Sequence, residues 1–315
     1  MPGLRNVTMR QLQIYAAAAK HLSFSRASRE LHLTQPAVSM QIRQLEGSAG
    51  VALFERVGKK LSLTSAGEEL LVYAQQALRA LKDAEDAFSA LRSVSGGKIT
   101  IAVVSTAKYF APKLLALFLE RHPEVELKLS VNNREAVIGQ LAANEVDLAI
   151  MGTAPRSVDT VAAAFAPHPL VIIAAPAHPL AKHKRIPLRA LENETFIVRE
   201  PGSGTRSAME RFFAEHGLRV QLGMEMSSNE TIKQAVMAGM GIAFISQHTI
   251  GLELATGQLK MLRVQGLPVM RQWNVVHRRE KRLSPAAEAF KSFVLEQGGA
   301  FLERWPGTAG SDLES

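Results

Sequence analysis

Residues 23–46 read SFSRASRELHLTQPAVSMQIRQLE, and their spacing predicts two short helices joined by a tight turn. In the second, Val38, Ile42 and Leu45 recur at helical spacing and make a buried seam. The opposite face carries Gln35, Pro36, Ser39, Met40 and Arg43, an assortment of amide, hydroxyl, apolar and guanidinium groups. Such a set reads base edges in a DNA major groove: guanidinium on guanine, amide on adenine, an apolar contact on the thymine methyl. Thr34 is placed to cap this helix, and Pro36 fits a first turn where no intrahelical donor is needed. The first helix has its own seam in Phe24, Ala27 and Leu31. An ordinary helical hairpin would share both seams, so the rest of the chain has to decide.

On either side the pattern extends. Thr8 starts a helix with Leu12, Tyr15, Ala16 and Ala19 facing inward, and VALFERVGKKLSLT (51–64) reads as a two-stranded wing around Gly58–Lys59–Lys60. Arg56, Lys59 and Lys60 at its tip can reach phosphates or an adjacent minor groove. Over residues 1–65, nine basic side chains face three acidic ones, a balance of +6 out of a chain total of +8. A basic head on a near-neutral body is the charge footprint of a nucleic-acid-binding module.

Ser65 and Glu68 suggest a capping box opening a long helix. Leu70, Ala74, Ala77, Leu81, Ala84, Phe88 and Leu91 alternate at spacings of four and three, an a/d seam expected to pair two chains as a coiled coil. Ser93–Gly97 breaks the helix, and a different texture follows. KITIAVVS (98–105), VELKLSV (125–131) and VDLAIMG (146–152) alternate with helices, which argues a parallel sheet with crossover helices. The pattern restarts at PLVIIAAP (169–176), then TFIVRE (195–200), two helices, GIAFIS (241–246), QWNVVHR (272–278) and a closing helix over 284–302. The expected organisation is a DNA-binding domain (1–65), a linker and dimerisation helix (66–92) and an effector-binding domain (93–315). Within the last, subdomain I covers about 93–164 and 269–302, and subdomain II about 165–268 is inserted into it. Two subdomains joined by two crossings make a hinged clamp around a ligand cleft.

The whole span of about 8–300 resembles the LysR-type transcriptional regulators. The resemblance rests on Leu12, Ser23–Phe24, Ala27, Leu31, Thr34–Ser39, Ile42, Leu45–Glu46, Leu53–Arg56, Leu63–Thr64 and Ala66–Gly67. Ser28 stands where the family usually has alanine, and Ala49 where leucine is usual; neither lies on the reading face. The resemblance implies a winged helix-turn-helix, a linker helix and an α/β effector domain with the periplasmic-binding-protein fold. Within the family, NREAVIGQLAANEVDLAIMG (133–152), FIVREPGSGTR (196–206) and SSNETIKQAVMAGMGIAFIS (227–246) are similar to regulators of RuBisCO (Calvin-cycle) operons. Nitrogen and sulfur regulators share parts of these stretches. What the subgroup implies is an activator tuned by a phosphorylated metabolite or NADPH, working as a homodimer or homotetramer on double-stranded operator DNA, with RNA polymerase a further partner.

Residues also point to the cleft. Strand ends running into helix N-termini expose unpaired N–H groups that bind anions. Ser105–Thr106 precedes one helix, and Gly202–Ser203–Gly204–Thr205–Arg206 another, with Arg199 and Arg206 bracketing that loop. Asn132, Asn133 and Arg134 end one strand and Met151 another on the same edge. The expected effector contacts are Ser105, Thr106, Asn132, Asn133, Met151, Arg199 and Gly202–Arg206. The glycine spacing is not a dinucleotide fingerprint, since Ser207 stands where the third glycine belongs.

An enzyme reading fails on motifs. Ser203 lies in P-G-S-G, without the first glycine of a nucleophile elbow. The nine histidines show no metal-ligand spacing, and His178 and His183 in AHPLAKHKR read as a solvated basic loop. No catalytic residue, metal site or resident cofactor is expected. Cysteine is absent, the first residues lack a signal-peptide core, and no apolar run approaches the roughly 20 residues that span a bilayer. A cytoplasmic protein without a membrane partner is the expectation.

Overall fold

The computed structural model describes residues 3–57, 60–92 and 97–307. The chain divides into two compact units, Met1–Phe88 and Ser89–Ser315.

In the first unit, α1 (Met9–His21), α2 (Phe24–Glu30) and α3 (Gln35–Ala49) precede a hairpin of β1 (Phe54–Val57) and β2 (Lys60–Leu63), after which α4 (Ser65–Arg92) begins. Each of the first three helices opens on a hydroxyl that accepts a backbone N–H: Thr8 from Gln11, Ser23 from Arg26 and Thr34 from Ala37. At Thr8 the Gln11 side chain reciprocates, closing a capping box. Ala27, Val38, Ile42 and Leu45 are buried around Tyr15, and the Phe54 ring meets Tyr15 and Phe24 edge-on at 5.6 and 5.3 Å. The Glu46 carboxylate accepts from the N–H groups of Leu53 and Phe54 at 2.8 and 3.2 Å, tying α3 to the wing.

The cap of α4 departs from expectation. Thr64, not Ser65, is the cap: its hydroxyl accepts from the Gly67 N–H at 3.0 Å and donates to the Ala52 carbonyl at 2.8 Å. The shift places Gly67 at the third helical position, so Glu68 has no capping-box role. Tyr15 donates its phenol to the Gly67 carbonyl, and burial, with the nearby Glu46 charge, pushes its pKa up to about 12.

The second unit holds β3 (Lys98–Val104), α5 (Ala111–Arg121), β4 (Glu126–Asn132), α6 (Arg134–Ala142), β5 (Leu148–Met151), β6 (Thr160–Ala174), β7 (Thr195–Arg199), α7 (Gly204–Glu215), β8 (Gln221–Met226), α8 (Asn229–Met237), β9 (Ala243–Ser246), α9 (Gly251–Ala255), β10 (Lys260–Met261), β11 (Val269–Arg278) and α10 (Pro285–Glu303). The main sheet runs β10-β6-β11-β5-β3-β4, with β9 also on β6. It is mixed where the sequence suggested parallel: β3 pairs in parallel with β4 and β5, but β11 lies antiparallel to β5 and β6, and β9 and β10 antiparallel to β6. The reason is β6, which starts at Thr160 rather than Pro169 and pairs with β11 from Thr160↔Arg278 to Leu170↔Val269. This long ribbon passes from one hydrophobic core to another. On one side Ile101, Phe118, Ile150, Trp273 and Phe290 pack with α5, α6 and α10; on the other Leu170, Phe196, Phe212 and Phe244 pack with α7. β7 and β8 form a separate parallel pair.

Gly67 provides a test of the first unit. A Cβ there would overlap the Leu53 carbonyl oxygen, so the backbone of α4 passes too close for any side chain. Gly67→Ala is expected to cost about 1–3 kcal/mol through forced displacement, measured as a lower urea midpoint for the full chain. An unchanged midpoint would mean that the contact relaxes freely.

Candidate DNA-reading surface and effector cleft

On α3 the seam and the reading face separate as the spacing requires. Val38, Ile42 and Leu45 are buried, while Gln35, Pro36, Met40 and Arg43 are exposed and Ser39 is half-buried. Arg43 donates from Nε to the Ser39 carbonyl at 3.4 Å, which leaves both terminal nitrogens of the guanidinium for bidentate recognition. Arg56 and Lys60 are exposed on the wing strands, and Lys59 lies outside the described residues.

The α4 seam divides in two. Ala74 is only 1% exposed and Leu70 packs beside it in the core of the first unit, so these two serve their own chain. Leu81 and Phe88 are 38% and 64% exposed, Ala84 is also exposed and Ala77 half-buried. The Leu91 side chain lies outside the described residues.

In the second unit the expected effector residues fall into distinct roles. Arg199, 3% exposed, is fully engaged: Nε and Nη2 hold the Glu200 carboxylate at 2.7 and 2.9 Å, Nη1 donates to Asn229 Oδ1 at 2.8 Å and Nη2 to Ser105 Oγ at 3.0 Å. It is a strut between the two cores, not a free guanidinium. Arg206 donates to the Arg199 carbonyl at 2.9 Å and pairs with Glu210 and, at 3.6 Å, Glu225, so it too is engaged by neighbours. Asn133 caps α6, Asn132 donates to Gln140 at 3.2 Å, and Met151 is fully buried in the core. Met151 therefore offers no polar group, while these bonds engage only Oδ1 of Asn133 and Nδ2 of Asn132. Each arginine has a carboxylate close in sequence, Glu200 or Glu210, and is held further by groups remote in sequence: Asn229 and Ser105 for Arg199, Glu225 for Arg206.

Gly202, Ser203, Gly204 and Thr205 do converge on the cleft. Ser203 accepts from the Arg206 N–H and caps α7. Gly202 has a φ of +81° and its carbonyl accepts from the Glu135 N–H at 3.3 Å, across the cleft. At Gly204 a Cβ would press on Arg134 Cδ at 3.1 Å. Thr106 is buried, and Ser105 sits on the Arg199–Asn229 strut, with its carbonyl accepting from Asn229 Nδ2 at 3.4 Å.

The feature that motif reading missed is a group of arginines. Arg271 on β11 donates to the Gly204 carbonyl at 3.0 Å and to Thr153 Oγ1; Arg134 donates to the Ala154 carbonyl at 3.4 Å. Burial, then the charges of Arg211 and Arg134, lower the Arg271 pKa to about 10; burial and Arg211 lower that of Arg134. Among the described residues no carboxylate pairs with any of these three guanidiniums. Like charges held together near the start of α7 are an arrangement that favours a bound anion. A signal was present in β11: Arg271 and Trp273 share a strand face, so a charge lies in register with a core tryptophan. Arg211, on the exposed face of α7, carried no such mark.

Beside Arg271, His168 stacks on Trp273 with centroids 3.8 Å apart and bonds Ser246 Oγ at 3.0 Å. Trp273 in turn donates to His248 Nδ1 at 3.3 Å. Burial, then the charges of Arg271 and His248, hold His168 well below its usual pKa, and burial lowers His248 to about 4. Among the described residues no group of three or more His, Cys, Asp or Glu side chains is arranged to hold a metal ion, and no helix is long and apolar enough to cross a membrane.

A fold with this head and this cleft is that of a ligand-responsive DNA-binding regulator, and family comparisons agree. The bacterial regulatory helix-turn-helix protein, lysR family, matches residues 9–68, and the LysR substrate binding domain matches 92–299. The chain belongs to the LysR family of DNA-binding transcriptional regulators, and its relatives are regulators, not enzymes. The RuBisCO operon transcriptional regulator of Allochromatium vinosum is 51% identical over 93% of this chain and 97% of its own length. The HTH-type transcriptional regulator CfxR of Cupriavidus necator is 51% identical over 96% of this chain and 95% of its own. Among solved structures, the Synechocystis PCC6803 CcmR regulatory domain in complex with 2-PG is 40% identical, with a TM-score of 0.62 over 64% of this chain and 96% of that one.

Arg43→Ala is expected to weaken operator binding by about 1–3 kcal/mol while leaving random-sequence binding nearly intact, as read by competition gel shifts. Equal loss on both DNAs would remove Arg43 from base reading. The two histidines set a pH dependence. Their folded pKa values are depressed, so below about 6.5 the unfolded chain takes up protons that the folded chain refuses. Stability should therefore be level above pH 6.5 and fall as pH drops toward 4. His248→Gln should flatten that slope in urea titrations, and an unaltered slope would assign it elsewhere.

Proposed function

We propose that this chain regulates transcription of a RuBisCO (Calvin-cycle) operon, responding to a small phosphorylated or otherwise anionic metabolite held between the two subdomains of its second unit. The observation that carries the ligand class is the Arg134–Arg211–Arg271 group without a carboxylate partner among the described residues, facing the start of α7. Guanidiniums kept together against their mutual repulsion favour a bound anion, and a cleft screens that attraction weakly. The names of the relatives at 51% identity support the operon, and 2-PG on the CcmR regulatory domain supports the ligand class.

In this reading residues 1–65 hold the operator through Gln35, Pro36, Ser39, Met40, Arg43, Arg56, Lys59 and Lys60. Residues 66–92 pair two chains through Leu81, Ala84 and Phe88, and 93–315 bind the effector. Ser105, Thr106 and Gly202–Thr205 supply hydroxyls and backbone N–H groups, while Arg134 and Arg271 replace Arg199 and Arg206 as the charge-bearing contacts. The protein works in the cytoplasm as a homodimer or a tetramer, and contact with RNA polymerase completes activation. The ligand can bias two DNA-bound forms only by its difference in affinity for them, typically about 1–3 kcal/mol.

The test separates the cleft arginines from the bracketing one. Arg271→Ala is expected to abolish the effector-induced change in DNase footprint while ligand-free operator binding persists; Arg206→Ala should keep the response. A full response in Arg271→Ala would place the effector elsewhere.

A further inference from the structure

Behind the β6–β11 ribbon lies a second cavity of about 640 Å³, within the size range of sites for small organic ligands. Residues alternate faces along a strand. His168 and Arg271, paired across the ribbon, face the arginine group; Pro169 and Met270, the next pair, line this cavity on the other side. Its floor is apolar: Pro167, Pro169, Val171, Leu262, Pro268 and Met270. Its rim is cationic, carrying Lys182 and Lys184 from the AHPLAKHKR loop together with Lys260 and Arg263. The basic loop that sequence alone left as solvated thus belongs to a concave site. All four cations are exposed, none has a carboxylate partner among the described residues, and one carboxylate, Glu303, lines the cavity.

We infer that this cavity is a second ligand site, distinct from the effector cleft, for a nucleotide-sized molecule that joins a flat ring system to phosphate groups. Four unpaired cations at one mouth call for more than one negative charge, beyond what a single carboxylate brings. Proline and methionine faces on the floor suit the face of an aromatic ring. The lining draws on Leu302 and Glu303 of α10 as well as on the β6–β10 region, so a bound ligand touches both subdomains on the side of the ribbon away from the effector. His248 also lines the cavity and leads through Trp273 to His168, which gives the two sites a packed connection.

The experiment titrates the full chain with 2′/3′-O-(N-methylanthraniloyl)-ATP and follows its fluorescence. Saturable binding is expected, displaced by ATP and displaced about tenfold less readily by inorganic tripolyphosphate, which carries the charge without the ring. The double variant Lys260→Glu with Arg263→Glu should lose about tenfold or more in affinity, while Arg271→Ala, in the effector cleft, should bind the probe as the parent does. Operator binding by each variant confirms that it is folded. The inference is overturned by absence of saturable binding, by tripolyphosphate competing as well as ATP, by indifference to the double charge reversal, or by loss of binding in Arg271→Ala.

Discussion

The pairing of β6 with β11 carries the second unit. Its ladder runs from Thr160↔Arg278, through the stretch of Phe165, Trp273 and Val275 in the core built with α5 and α10, to Leu170↔Val269 at the core built with α7. A shift of register lies between Trp273 and Asn274, near the middle. A two-stranded ribbon crossing between two cores resists shear, because sliding would break its ladder, yet it yields to bending and twisting. The Trp273–His168 stack sits beside that irregularity. Keeping both histidines neutral matters there: a protonated His168 would face Arg271 with no carboxylate to offset it.

Closure across the cleft rests on polar contacts rather than on a continuous apolar interface. Lys108 pairs with Glu230 at 2.6 Å, Arg199 joins Ser105 to Asn229, and the Gly202 carbonyl takes the Glu135 N–H. Exposed pairs such as Lys108–Glu230 contribute about 0–1 kcal/mol each. Contacts of that size hold a preferred geometry without locking it.

The head was legible in the sequence because its rules are local. Helical spacing separated Val38, Ile42 and Leu45 from Gln35, Met40 and Arg43, and hydroxyl caps marked the helix starts. The cap of α4 was misplaced by one residue because Thr64 and Ser65 are both competent, and only the distant Ala52 carbonyl favours the threonine. In the second unit the early part of β6, TVAAAFAPH, hides among alanines and a proline with weak strand preference. β8, QLGMEM, is exposed throughout except at Met226 and shows no apolar alternation. Which guanidinium is engaged depends on neighbours remote in sequence as well as near: Glu225 engages Arg206, and Asn229 and Ser105 engage Arg199.

The path of the ribbon also governs the order in which the molecule can fold. β5 gains its second neighbour only from β11, through Ala149↔Val276 and Met151↔Asn274, and the Phe118 cluster closes only with Phe290 and Phe293 of α10. Subdomain I therefore begins first on the ribosome and finishes last, after the whole of the inserted subdomain has emerged. Until then it presents the open edge of β5 and half a core, the condition in which chains aggregate or recruit chaperones. Contacts of such long sequence separation also slow folding. Damage to the last residues of α10 would thus be felt most by the subdomain that lies nearest the linker helix in the chain, more than by the insert made just before them.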